Sequence, residues 1–217
     1  MNFHHKTAVA GFVITTMAAA TCVTSTILGE TPLAPHPAFL KRRTVYAFTN
    51  ERVSDEQLRC VFEAARWAPS AWNQQPTHYI YAHRGTKSWD ILLHLIGNGN
   101  RWWAQDAPVL AVVLRKKRSR SGKQFDRTEF EIGCSWMSLA IQATMLGLAT
   151  HVSGEIEFEE ARQILQVPDN FDIVLMFGLG KQATTGIRQD TISRDRRRST
   201  QRKEISEFVT EGHTFTF

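Results

Sequence analysis

Three cysteines in 217 residues, Cys22, Cys60 and Cys134, are too few and too scattered for a disulfide framework. The chain has no Cys-x-x-Cys pair and no Cys/His cluster, which argues against a zinc site. Neither charge sign dominates: 26 basic residues face 21 acidic ones, a net charge of +5. That surplus suits an anionic ligand but is no nucleic-acid signature by itself. Long uncharged runs are few, which argues against a multi-span membrane protein; one, Thr7 to Leu28, lies near the start of the chain. What remains is ordinary for a globular protein, with 42% hydrophobic and 22% charged residues. The length fits one domain, or one domain with a tail.

The uncharged run, TAVAGFVITTMAAATCVTSTIL, is rich in alanine and threonine rather than leucine. It reads in three ways. It could be a secretory signal with Ala18-Ala19-Ala20 as a cleavage point. It could be a marginal membrane anchor, the one route to membrane contact. It could be a buried or interface helix of a cytoplasmic protein. Three prolines in Thr31 to Pro37 favour extended backbone and mark a linker, so residues 1–35 form an N-terminal segment and 36–217 the main domain.

Within that domain the periods alternate. Short helices are expected over His36–Arg43 and Glu159–Leu165. Ser54–Trp67 is a firmer helix, with a Ser54/Gln57 capping box and an apolar stripe of Leu58, Val61, Phe62 and Ala65. Thr86–Ile96 places Trp89, Leu92, Leu93 and Ile96 on one helical face, and Glu129–Leu148 is a long helix apolar almost all round. Cys60 and Cys134 fall within these helices and are expected in the core. Thr77–His83, Ala107–Leu114 and Phe171–Gly180 read as strands. This interleaving gives an α/β or α+β domain. The basic runs Arg115–Lys123 and Arg188–Lys203 read as a solvated loop and a solvated tail.

Two segments have ligand-binding chemistry. Lys41-Arg42-Arg43-Thr44 sets adjacent guanidinium groups beside a hydroxyl at a helix end, a combination that can hold a phosphate. Ala68-Pro69-Ser70-Ala71-Trp72-Asn73-Gln74-Gln75-Pro76 packs a hydroxyl and three amides into a loop bounded by prolines. Its amides match a heterocycle edge with mixed donors and acceptors, and Trp72 could cover a ring face.

Taken with these two segments, further pieces follow in order: Glu63-Ala64-Ala65-Arg66-Trp67, Asn100-Arg101-Trp102-Trp103-Ala104, Ile141-Gln142-Ala143 with Leu146-Gly147-Leu148, and Gly178-Leu179-Gly180. Together they closely resemble the FMN-dependent nitroreductase-like flavoproteins over residues 36–212. The resemblance implies an α+β sandwich with a central mixed β-sheet flanked by helices. It also implies a homodimer with FMN at the subunit interface and NAD(P)H as co-substrate. Arg42 and Thr44 would hold the FMN phosphate, with Arg202 from the tail and help from Arg43. Pro69, Ser70, Ala71, Asn73 and Gln75 would line the isoalloxazine ring, in this family from the partner subunit. Asn100 would bond the ring or ribityl chain, and Gly154 and Glu155 would present backbone groups near N5. Tyr46 departs from the pattern, standing where many members carry Arg or Lys.

The activity implied is ping-pong hydride transfer from NAD(P)H through FMN to a nitroaromatic, quinone or activated enone, the cofactor performing the redox step. Two other uses stay open. One is a flavin-dependent oxidase or desaturase of a small metabolite such as a cyclic dipeptide. The other is a flavin-free binding or scaffold protein, for which Tyr46 is the best support.

Overall fold

Period-two alternation in one apolar strand organises the domain. In β2 (Val109–Lys116), Leu110, Val112 and Leu114 pack into one hydrophobic cluster, while Val109, Ala111 and Val113 pack into another on the opposite face. The computed structural model of the chain describes residues 34–119, 122, 124, 128–185, 189–197 and 199–212. Residues 7–28, with their three readings, and Cys22 lie outside the described residues.

β2 is flanked by β1 (Thr77–His83) and β4 (Phe171–Gly180), and β3 (Ala149–Ser153) closes the order β1-β2-β4-β3. All three pairings are antiparallel. Among the described residues, the parallel component expected of a mixed sheet is confined to an isolated bridge between Thr44 and Thr150 at the β3 edge. One cluster gathers residues of α3 (Lys87–Leu95), α4 (Asn98–Ala104) and α6 (Phe158–Ile164) against the sheet. The other gathers α2 (Asp55–Arg66) and α5 (Thr128–Met145). Two glycines at the end of β4 permit close packing there: a Cβ on Gly180 would stand 2.5 Å from the Pro108 ring, and one on Gly178 would stand 2.9 Å from Ala107.

β1 and β4 lie at their expected bounds. α2 starts at its capping box, in which Ser54 Oγ accepts from Gln57 N–H and the Gln57 side chain accepts from Ser54 N–H. Among the described α-helices and strands, α4, β3 and α7 (Gln189–Arg197) were not anticipated. The last lies within the run read as a solvated tail, yet Thr191 and Ile192 are buried. Cys60 is not in the core. It is exposed, and Cys134 is half-buried. Cys60 follows Leu58 by two residues and precedes Val61 by one, which places it about 160° round the helix from Leu58 and about 100° from Val61, off the Leu58–Val61–Ala65 stripe. Among the described residues no helix is long and apolar enough to cross a membrane.

Candidate functional site

The segment joining α1 (Pro37–Lys41) to α2 is extended, so its side chains alternate. Arg42, Thr44 and Tyr46 are half-buried on one side, and Val45 and Ala47 are buried on the other. Thr44 is fixed by its bridge to Thr150. Arg43 is spent locally: its Nη1 donates to the carbonyls of Leu40 at 2.7 Å and Arg42 at 3.2 Å, closing the end of α1.

A stack of rings supports this segment. His151 of β3 is buried, lies 4.0 Å from the Trp103 ring at 19°, and bonds the Val45 carbonyl through Nδ1 at 2.7 Å. A carbonyl only accepts, so Nδ1 carries the proton in this contact. This histidine is a packed, hydrogen-bonded support. Tyr46 lies 4.6 Å from His151 and 4.8 Å from Trp102. Trp103 is fully buried, in keeping with a core residue.

Asn100 and Glu155 meet, but their groups are engaged with each other and with α4. Glu155 Oε2 accepts from Asn100 Nδ2 at 2.7 Å, and Oε1 accepts from Gly99 N–H at 3.1 Å. Asn100 Oδ1 accepts from Trp103 Nε1 at 2.8 Å. The Glu155 carboxylate thus caps the first turn of α4 from 56 residues away in sequence. The Glu155 backbone is also bonded, its N–H to Ser153 Oγ and its carbonyl to Gly97 N–H. Gly154 beside it is exposed, and a Cβ there would meet nothing within 4 Å.

The Pro69–Pro76 loop is built on other elements, between α2 and β1. Trp72, Asn73 and Gln75 have φ of 54°, 54° and 49°, left-handed values unusual for these residues. The loop is held from within: Ser70 Oγ accepts from Gln75 N–H at 3.0 Å, and Gln75 Nε2 donates to Asn73 Oδ1 at 3.1 Å. It is held from outside by Glu131, a buried carboxylate of α5 that accepts the Ala71 N–H at 2.7 Å. Sequence reasoning missed Glu131. Its signal is a charge on the buried stripe Thr128, Ile132, Ser135, Leu139. Just before the loop, hydrogen bonds from Arg66 and the Trp67 indole hold the Glu63 carboxyl down to about 2. Beneath the loop, burial raises the Tyr79 phenol, which shares a 2.8 Å hydrogen bond with Ser135.

Arg202 is exposed on the tail, its contact being a 2.7 Å bond to the Gln201 carbonyl next to it. Residues of α1 and α5, including Phe39, Phe130, Met137, Ile141 and Met145, line an apolar groove that also touches Pro69. Phe130 at 72% and Met145 at 52% exposure are unusually open for such side chains.

An antiparallel sheet between two helical layers, with a basic strand-like segment and a strained amide loop at its edges, is the frame of a small α+β sandwich domain. The sequence profile of the nitroreductase family matches residues 40–181, and the chain belongs to that family. A Streptomyces coelicolor protein provisionally named an NADH dehydrogenase/NAD(P)H nitroreductase is 37% identical over 91 residues, covering 40% of this chain and 45% of its own. The match thus spans less than half the length of this curated relative. A solved oxidoreductase containing FMN superimposes with a TM-score of 0.75 at 30% identity, covering 86% of this chain and 96% of its own. A nitroreductase-family protein of Clostridium difficile 630 superimposes at 0.64 with 22% identity, over 84% of this chain and 100% of its own.

Proposed function

We propose that this protein is an FMN-dependent oxidoreductase that takes hydride from NADPH or NADH and passes it to a small electron-poor acceptor, a nitroaromatic, quinone or activated enone. The observation that carries the reading is the likeness, over nearly its whole length, to a solved oxidoreductase containing FMN. The residues fit the cofactor in two respects. Arg42 and Thr44 share one side of an extended segment, as a phosphate site needs. The space beside Gly154 is open, as a ring lying against it requires.

When bound, FMN supplies a two-electron carrier that accepts and returns hydride. The chain's own part is to bind and orient. Arg42 and Thr44 hold the phosphate, joined by Arg202 from the tail. Pro69, Ser70, Asn73 and Gln75 present the loop to the ring. Ala71 contributes through its carbon surface, because its N–H is bound to Glu131. Asn100 and Glu155 shape the site through α4 rather than by direct donation. No side chain is needed as a base. The exposed apolar face of α5 supports a homodimer, which brings the loop of one protomer to the flavin of its partner.

The test is direct. The purified protein should be yellow, should bleach when NADPH or NADH is added without oxygen, and should recover colour on addition of a nitroaromatic or quinone. Arg42→Ala should lower the flavin content. A colourless protein that takes up no FMN supplied in excess would refute the reading.

A further inference from the structure

We infer that Arg194, carried by α7, is a ligand-facing cation of the FMN site, an inference that rests on the flavin reading above. Arg42, Thr44 and Tyr46 share one side of the extended segment, but position 46 brings an aromatic ring and no charge. That ring packs against Trp102 with 4.8 Å between centroids, and the Arg194 guanidinium sits 4.5 Å from the centre of the same Trp102 ring. The cation is therefore one ring removed from Tyr46.

Its place is fixed from a second direction. The next residue, Asp195, accepts hydrogen bonds from the backbone N–H groups of Tyr46 at 2.7 Å and Ala47 at 3.1 Å. Buried Thr191 and Ile192 seat the same helix. α7 is thus tied to the backbone of the same extended segment that carries Arg42 and Thr44. Arg194 itself is exposed, so a ligand can reach it. A guanidinium lying over an aromatic ring uses its face for that contact and offers its in-plane N–H donors to a third partner. A phosphate, or the flavin edge that gains negative charge on reduction, is such a partner.

The experiment is a fluorescence titration of full-length, flavin-stripped protein with FMN and, separately, with riboflavin. Arg194→Met should weaken FMN binding about tenfold or more, the usual effect of losing a charge-assisted hydrogen bond. Arg194→Lys, which keeps the charge without the planar fork, should fall between. Tyr46→Arg in the Arg194→Met background should restore affinity, which a merely structural role for the Trp102 contact would not produce. Arg196→Met alters an exposed arginine of the same helix that bonds the Thr184 carbonyl, and should stay within twofold of the parent. A loss confined to FMN assigns the cation to the phosphate, and a loss with both flavins assigns it to the ring; either supports the inference. Affinities of Arg194→Met within twofold of the parent for both flavins would overturn it. Failure of the parent itself to bind flavin would instead bring down the reading on which the inference depends.

Discussion

Replacing Glu131 by alanine tests how the ring-facing loop keeps its shape. Glu131 is 7% exposed, and its carboxylate accepts the Ala71 N–H at 2.7 Å. A hydrogen bond to a charged group contributes about 1.5–3 kcal/mol. Three effects pull the net value toward the low end. Ala71 is exposed, so its freed N–H can find water. Trp72, Asn73 and Gln75 hold left-handed backbone that costs on the order of 1 kcal/mol each, and a released loop recovers part of that strain. Removing a buried carboxylate also relieves its desolvation. The expected loss for Glu131→Ala is therefore about 1–2 kcal/mol, which for a chain of this size lowers Tm by roughly 2–8 °C. Glu131→Gln keeps an acceptor and should lose less than about 1 kcal/mol. Thermal unfolding by circular dichroism gives the ranking, and limited proteolysis between Pro69 and Pro76 should accelerate in the same order. A Glu131→Ala protein with unchanged Tm and unchanged cleavage of the loop would show that the carboxylate does not hold it.

His151→Ala removes a buried stack on Trp103 and the bond to the Val45 carbonyl, and should cost about 3 kcal/mol in urea denaturation. His151→Phe keeps the stack and should cost about 1–2 kcal/mol. Gly180→Ala drives a methyl into the rigid Pro108 ring and should destabilise by about 1–3 kcal/mol, whereas Gly154→Ala, with open space around it, should leave Tm unchanged. If Gly154→Ala lowers flavin affinity while Tm holds, the open space is cofactor space. The Glu63 carboxyl is held down to about 2 by Arg66 and Trp67, so its stabilising share is present above the ordinary carboxylate range and disappears as pH falls toward about 2. Glu63→Gln should remove that part of the acid slope, and carboxyl NMR of the parent should place the midpoint near pH 2.

The limits of sequence reading here have a common cause. β1 was legible because its aromatic and β-branched residues mark a strand, and β4 because a continuous apolar run ends in close-packing glycines. α4, with the sequence NGNRWWA, was not, because glycine and asparagine argue against a helix. Yet Gly99 within it and Gly97 before it admit its cap: a Cβ on Gly97 would lie 2.3 Å, and one on Gly99 2.6 Å, from the Glu155 side chain. α7 read as a charged tail because its sequence is dominated by Arg and Asp, but Asp195 ties it to Tyr46 and Ala47, nearly 150 residues earlier. The loop's anchor, Glu131, lies 60 residues from Ala71. In each case a carboxylate accepts backbone N–H groups of a segment that has no regular partner of its own. Such a bond leaves little trace in a local window, because neither the donor segment nor the acceptor residue is unusual alone. The readable sign is a carboxylate out of keeping with its surroundings: Glu131 on an apolar stripe, Asp195 in a basic run. The ligand-binding segments were legible by their chemistry, while the backbone bonds made by Glu131, Asp195 and Glu155 became apparent only once the chain was folded.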